Sequence, residues 1–245
     1  MKKVGVIGCG VIGALVAKSF AEGLIPCDEL ILFDKDIEKA QKIRRLLKAP
    51  ITAVKSVDEM IRAKPAIIIE AASQQAVREY LHEILSADIE VVVMSVGALL
   101  DVDLKSNKIH IPSGAIGGLD AISTASLAGI KEITLTTRKN PKTLDASSDL
   151  EKVAYEGFAE DAAKLFPREM NVAAILALTV KPHKVRVKVI SDPNVTRNVH
   201  EIHLVWKHGD MFFRFENDPH PDNPGTSALA AWSAIKLIRE LLARN

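Results

Sequence analysis

The stretch Gly8-Cys9-Gly10-Val11-Ile12-Gly13 sets three glycines at the spacing G-x-G-x-x-G, directly after the apolar run Lys3–Ile7 and before a helical pattern that starts at Val11. In that context the spacing reads as a dinucleotide-binding turn. The three glycines serve different ends. Gly8 makes the tight turn, Gly10 lets a pyrophosphate approach the backbone, and Gly13 lets the helix pack close to the sheet. The free N–H groups at Val11 and Ile12 and the positive end of the helix dipole face the phosphates. Asp34 ends the next apolar run, Leu30–Phe33. A carboxylate there accepts the adenosine ribose hydroxyls and repels a 2′-phosphate, which predicts NAD over NADP. Lys35 follows directly and softens that preference, so NADP stays open.

Two more segments stand where open α/β sheets bind ligands, at the carboxyl ends of parallel strands. Glu70-Ala71-Ala72-Ser73 follows the apolar run Ala66–Ile69, and Ser95-Val96-Gly97-Ala98 follows Val91–Met94. Ala71, Ala72, Ser73, Ser95 and Gly97 are small and leave room for a nicotinamide ribose. Ser113-Gly114-Ala115-Ile116-Gly117-Gly118-Leu119-Asp120 has no bulky polar group, as suits a backbone passing close to a cofactor or a flexible junction.

Proton chemistry points to the second half. Asn198 and His200 stand two apart in an alternating run and so share one strand face. They suit a proton-transfer group and a substrate anchor. Thr226 and Ser227 close a proline-rich loop before the last helical pattern, where they can cap it and offer a carboxylate site. Arg168 and Arg197 are alternative cationic partners, and the sequence does not choose between them. No zinc-type spacing of Cys and His is present, and no metal is expected.

Elements must position these groups. Short runs that are apolar on both faces, separated by the helical patterns Val11–Gly23, Ile37–Leu47 and Gln74–Leu85, predict a parallel, doubly wound Rossmann sheet closing with Ile109–Pro112. The second half alternates differently. Strands are expected at Glu132–Thr137, Lys184–Ile190, Val199–Trp206 and Met211–Phe215, the last two joined by a turn at His208-Gly209-Asp210. Helices are expected at Glu156–Leu165, at Asn171–Thr179 with Asn171 as its cap, and at Ser227–Ala243. The fold class is therefore α/β: a dinucleotide-binding domain, 1–115, then a substrate-binding and dimerisation α+β domain, 116–245, with an open mixed, mostly antiparallel sheet. The last helix packs back on the first domain in this reading.

With a net charge of +1 over 245 residues, nothing favours nucleic acid or a membrane surface. Two cysteines, Cys9 and Cys27, read as reduced thiols in a cytoplasmic protein. An exposed, predominantly apolar sheet face in the second half, formed by Lys184–Ile190 and the hairpin after it, would suit a homodimer.

Beyond the glycine turn, four stretches are more specific. Ser113–Asp120, Phe166-Pro167-Arg168-Glu169-Met170-Asn171-Val172-Ala173-Ala174, Asn198-Val199-His200-Glu201-Ile202 and Asn223-Pro224-Gly225-Thr226-Ser227 together resemble the L-aspartate dehydrogenase family over nearly the whole chain. The resemblance implies NAD(P)-dependent oxidation of L-aspartate to iminoaspartate. That product hydrolyses to oxaloacetate and ammonia or feeds quinolinate synthesis, which implies a link to a quinolinate-forming enzyme. It places the active-site histidine on His200 and cofactor contacts near Ala115 and on Asn171. Gly225 stands where the resemblance implies Lys in many members of the family, so any role of that side chain does not carry over. A histidine suits removal of the amine proton because its ordinary pKa lies near neutrality. Two other readings compete: a reductase of the dihydrodipicolinate type, and a non-catalytic NAD-binding sensor.

Overall fold

The computed structural model describes residues 1–102, 106–143, 150–167, 170–220 and 223–244. They divide into two compact units, Met1–Pro112 with Ala231–Asn245, and Ser113–Ala230.

The first unit contains β1 (Lys3–Ile7), α1 (Val11–Ala21), β2 (Glu29–Phe33), α2 (Ile37–Leu46), β3 (Ile51–Ala53), α3 (Val57–Arg62), β4 (Ile67–Glu70), α4 (Gln74–Ser86), β5 (Glu90–Val93) and β6 (Ile109–His110). The strands form one six-stranded sheet in the order β3-β2-β1-β4-β5-β6, every pair parallel. The order reverses between β1 and β4, so the crevice beyond their carboxyl ends is the switch point of a Rossmann sheet. Val4, Val6, Ile67, Ile68, Ile69, Val92 and Val93 are wholly buried, as residues covered on both faces must be.

Sequence reasoning passes from α2 straight to β4 and misses β3 and α3. A three-residue edge strand and a six-residue helix are too short to show a period. A local signal existed in Ser56-Val57-Asp58-Glu59: the Ser56 hydroxyl accepts the Glu59 N–H at 3.2 Å, and the Glu59 carboxylate accepts the Lys55 N–H at 2.8 Å.

The second unit contains α5 (Leu119–Ala128), β7 (Ile130–Lys139), β8 (Lys152–Phe158), α6 (Ala159–Leu165), α7 (Asn171–Thr179), β9 (Arg186–Ser191), β10 (Asn198–Trp206), β11 (Gly209–Asn217), β12 (Pro219–His220) and β13 (Asn223–Ser227). Its main sheet runs β11-β10-β7-β9-β8, with β7 and β9 parallel and the other pairs antiparallel. Ile133, Leu135, Val187, Val189, Ile202 and Leu204 fill one face, each no more than 1% exposed. The buried alanines of α6 and α7, among them Ala162, Ala163, Ala173 and Ala174, let those helices sit close. The final helix, α8 (Ala228–Arg244), returns to the first unit, where Lys2 Nζ donates to the Leu242 carbonyl at 2.9 Å.

Four expectations need correction. Residues 156–158, expected as helix, end strand β8, because pairing with β9 outweighs a weak local pattern. Asn171 is the first helical residue of α7 and not its cap, which is Met170. The hairpin turn lies on Lys207-His208, since Trp206 pairs directly with Gly209. The outward sheet face is polar: Thr134, Thr136, Arg138, Glu201, His203 and Arg214 line it, and Arg214 pairs with Glu201 at 3.2 Å and Glu216 at 3.1 Å. Phe212, 61% exposed, and Val153, 44% exposed, are exposed apolar side chains on that face. The alternation places the apolar residues inward and these polar ones outward. Among the described residues no helix is long and apolar enough to cross a membrane.

Ile68 sits at the centre of the first sheet with no exposed surface. Truncation to Ala should cost about 2–5 kcal/mol through lost burial and a residual cavity, read as a lower urea midpoint.

Candidate active site

The turn after β1 shows why the glycine spacing is needed. Gly8 takes φ +97°, and a Cβ there would meet the Ala71 backbone at 2.7 Å. A Cβ on Gly13 would lie 1.9 Å from the Gly8 carbonyl oxygen. Gly10 differs: a Cβ there meets nothing within 4 Å. It precedes α1 as a residue with no side-chain cap, so the first N–H groups, at Val11 and Ile12, carry no side-chain partner at the cap. An open backbone beside an uncapped helix start fits a pyrophosphate.

Asp34 braces the same turn. Its two carboxylate oxygens accept the Cys9 N–H at 2.7 Å and the Asp36 N–H at 2.9 Å. Each oxygen keeps a lone pair, so the half-buried carboxylate can still accept ribose hydroxyls. The Lys35 ammonium pairs with Glu79 at 3.0 Å on the surface of α4. That pairing opposes its use on a 2′-phosphate. Cys9, in the middle of the turn, points inward, and burial pushes its thiol pKa up to about 12.

The loops after β4 and β5 are laced by a residue that sequence reasoning passed over. Glu70 is 3% exposed. Its carboxylate accepts the N–H groups of Ala72 and Ser73, both at 2.8 Å, and the N–H and hydroxyl of Ser95, both at 3.0 Å. Burial pushes the carboxyl pKa up, against those four hydrogen bonds, which pull it down. Ser73 in turn caps α4 by accepting the Ala76 N–H at 3.2 Å. Gly97 is buried against Gln74, whose amide nitrogen would lie 2.2 Å from a Cβ there. Thus Ser95 and Gly97 are packed inside, whereas Ala72 and Ser73 are exposed at the strand ends and Ala71 is half-buried. The signal for Glu70 was an acid at the end of an apolar strand, where a charge has to find N–H partners.

The second unit gathers a separate polar group. His200 is 4% exposed, and its Nδ1 lies 3.0 Å from the Thr137 hydroxyl on the neighbouring strand. Burial, aided by the positive charge of Lys139, lowers its pKa to about 3. The expectation of a histidine poised near neutrality is therefore corrected for the free chain: desolvation holds it neutral. Asn198, 3% exposed, is on the same strand face. Asn217, paired with Asn198 across β10 and β11, donates to the Ala115 carbonyl at 3.1 Å. The first segment of the unit is thereby tied to the sheet beside His200. Asn171 is half-buried at the start of α7.

Thr226 and Ser227 end β13 and do lead into α8, with Ser227 4% exposed and Thr226 half-buried. Arg197 is bound to Asp218 at 2.7 Å on the surface. Arg168 lies outside the described residues. Thr137 and Lys139, both buried near His200, were missed: Thr137 stood at the end of the expected strand Glu132–Thr137, and Lys139 lay beyond it, whereas β7 runs on to Lys139.

The two glycines at the helix start separate ligand from fold. Gly10→Ala should keep the melting temperature and weaken NADH binding at least tenfold, whereas Gly13→Ala should destabilise the unit itself. Thermal melts beside fluorescence titration with NADH distinguish these outcomes.

Comparison with known proteins covers both units. Residues 120–241 match the family model described as aspartate dehydrogenase, C-terminal, and residues 8–110 match the NAD-binding domain of homoserine dehydrogenase. The chain is 41% identical to L-aspartate dehydrogenase of Methanothermobacter thermautotrophicus, over 97% of this chain and 95% of that one. It is 38% identical to the enzyme of that name from Methanosarcina acetivorans, over 99% and 97%. The crystal structure of aspartate dehydrogenase from Thermotoga maritima superposes with a TM-score of 0.77 at 28% identity, covering 98% of this chain and 97% of that one. The chain belongs to the L-aspartate dehydrogenase family.

Proposed function

We propose that the protein oxidises L-aspartate to iminoaspartate with NAD, or less readily NADP, as the hydride acceptor, and that His200 is the catalytic proton acceptor. The observation that carries the assignment is a neutral, buried histidine beside Asn198 in a chain of this family. A bound nicotinamide would supply the acceptor for the hydride that leaves the substrate Cα. The remaining work belongs to the chain. Gly8, Gly10, Val11, Ile12 and Gly13 hold the pyrophosphate, and Asp34 holds the adenosine ribose, with Lys35 beside it. Ala71, Ala72 and Ser73 lie along the nicotinamide ribose. Ser95 and Gly97 keep that loop in place through Glu70 and Gln74. Ala115 and Asn171 complete the cofactor contacts.

Hydride loss needs a neutral amine, whose lone pair stabilises the developing iminium. Thr137 is assigned as acceptor of the His200 Nδ1–H, which leaves the Nε2 lone pair for the ammonium proton. The two substrate carboxylates beside the ring raise the histidine's pKa, and the pull grows once the amine has given up its proton, because opposite charge favours the imidazolium. Asn198 orients the substrate, and Thr226 and Ser227 offer hydrogen bonds to a carboxylate near the start of α8. Iminoaspartate then hydrolyses to oxaloacetate and ammonia or passes to a quinolinate-forming enzyme. A homodimer in the cytoplasm completes this reading. The family assignment disfavours the dihydrodipicolinate-type reductase and the non-catalytic sensor.

His200→Asn should lower kcat about 10²–10⁴-fold with NADH affinity unchanged. Unaltered turnover removes His200 from the reaction. The same variant tests burial. Folded His200 is neutral down to pH about 3, while the unfolded residue takes a proton near pH 6.5. Between these values the unfolded state binds more protons, so stability falls as pH drops. The loss at pH 5 is about 2 kcal/mol, and it should vanish in His200→Asn, as read from urea midpoints at about pH 7 and pH 5. Asp34→Ser should weaken NAD binding about tenfold and narrow the gap to NADP, measured as the ratio of the two kcat/KM values.

A further inference from the structure

The end of β2 is held to the surface of α4 at two neighbouring points. Phe33, the last residue of β2 and 7% exposed, meets the Tyr80 ring edge-on, with the ring centroids 6.0 Å apart. Just beyond, the Lys35 ammonium reaches Glu79, the residue before Tyr80, at 3.0 Å. The aromatic contact fixes the two backbones beneath the ion pair, so the pair is more than a meeting of two loose side chains. The Tyr80 hydroxyl and the Lys35 ammonium hold the Glu79 carboxyl pKa below the usual carboxylate range. Glu79 is therefore fully charged at neutral pH.

The charged groups around this corner have separate tasks. Asp34 accepts the Cys9 and Asp36 N–H groups and faces the adenosine ribose. Asp36 caps α2 by accepting the Glu38 N–H at 3.2 Å. Glu38 turns to Arg45 at 3.3 Å. Lys39 is exposed on α2, and its charge is felt at the Cys9 thiol. Lys35 follows Asp34 directly and is the cation that a phosphate on the ribose 2′-oxygen would call on. To answer, its ammonium has to leave Glu79, which costs the ion pair. NAD carries a hydroxyl at that position and makes no such demand.

We propose that Glu79 is a specificity-determining residue for the coenzyme: it holds Lys35 on α4 and so strengthens the preference for NAD over NADP. This rests on the assignment of Asp34 to the adenosine ribose. Glu79 is a positioning residue, since it acts through Lys35 and not on the coenzyme. Lysine suits such a choice between two anions, because it is a point charge on a flexible stem. An exposed ion pair is modest in strength, so the effect is a bias of several-fold. Asp34 supplies the larger part of the preference.

The test is fluorescence titration of the protein with NADH and NADPH at low ionic strength, with thermal melts to check folding. Glu79→Gln keeps the shape of the side chain and removes its charge. It should tighten NADPH about three- to fivefold, the scale of an exposed ion pair, and leave the NADH Kd within about 1.5-fold. The gain should fade at about 0.5 M salt, where exposed charges are screened. It should fall below about twofold when Lys35→Met is already in place, since the freed lysine is what meets the phosphate. Should Glu79→Gln melt early, Glu79→Ala carries the same comparison. Four results overturn the proposal: an NADPH Kd that moves less than about twofold, an equal gain for both coenzymes, a gain that persists in salt, or a gain of full size in the Lys35→Met background. Asp34→Ser separates this assignment from the one beneath it. If Asp34→Ser weakens NADH binding while Glu79→Gln leaves NADPH unmoved, the Glu79 assignment alone falls. If Asp34→Ser moves neither coenzyme, the ribose is not held at Asp34 and both assignments fall.

Discussion

The first unit depends on how closely two backbones pass at the end of β1. The Gly8 turn lies against Ala71, and Gly13 brings the first helix down onto the Gly8 carbonyl. That crowding fixes the direction of α1 and leaves Gly10 as the open side of the turn. Asp34 then ties the turn to the end of β2 by accepting the Cys9 N–H. Glu70 does the corresponding work one crossover away, where its four accepted hydrogen bonds hold the β4 and β5 loops together. A buried carboxylate with all its partners in place is a rigid fastening, since losing any one of them exposes an unmet charge in a low-dielectric interior.

The second unit reaches its purpose by a different route. Its sheet is apolar through the middle, where Ile133, Leu135, Ile202 and Leu204 pack. Towards one end the same face turns polar, with Thr137, Lys139, Ser191, Asn198 and His200. Such a change along a core face is costly to folding, and clusters of this kind are where functional groups gather. The strands that carry it are continuous with the apolar part, so the polar end inherits a fixed geometry from the core beside it.

The Rossmann unit was legible because three signals agreed: glycine spacing, runs apolar on both faces, and an acid at the end of the second strand. What escaped was short or was decided by tertiary pairing. Ile51–Ala53 is three residues long, and the strand character of Lys152–Phe158 comes from its pairing with Arg186–Ser191. His200 and Asn198 could be placed on one face by a period of two. Thr137 and Lys139 escaped, because the expected strand ended at Thr137 whereas β7 runs on to Lys139. Glu70 was named only as the start of a loop, since its role exists only once β5 is beside β4.

One residue inside the glycine turn has a consequence of its own. Cys9 turns its sulfur towards the Phe33 carbonyl, 3.8 Å away, and a thiol held near 12 carries almost no thiolate at cellular pH. Peroxides and electrophiles react with the thiolate form, so they find little to attack. The coenzyme pocket is thereby insulated from oxidative damage at the very position where an exposed cysteine would couple nucleotide affinity to redox stress.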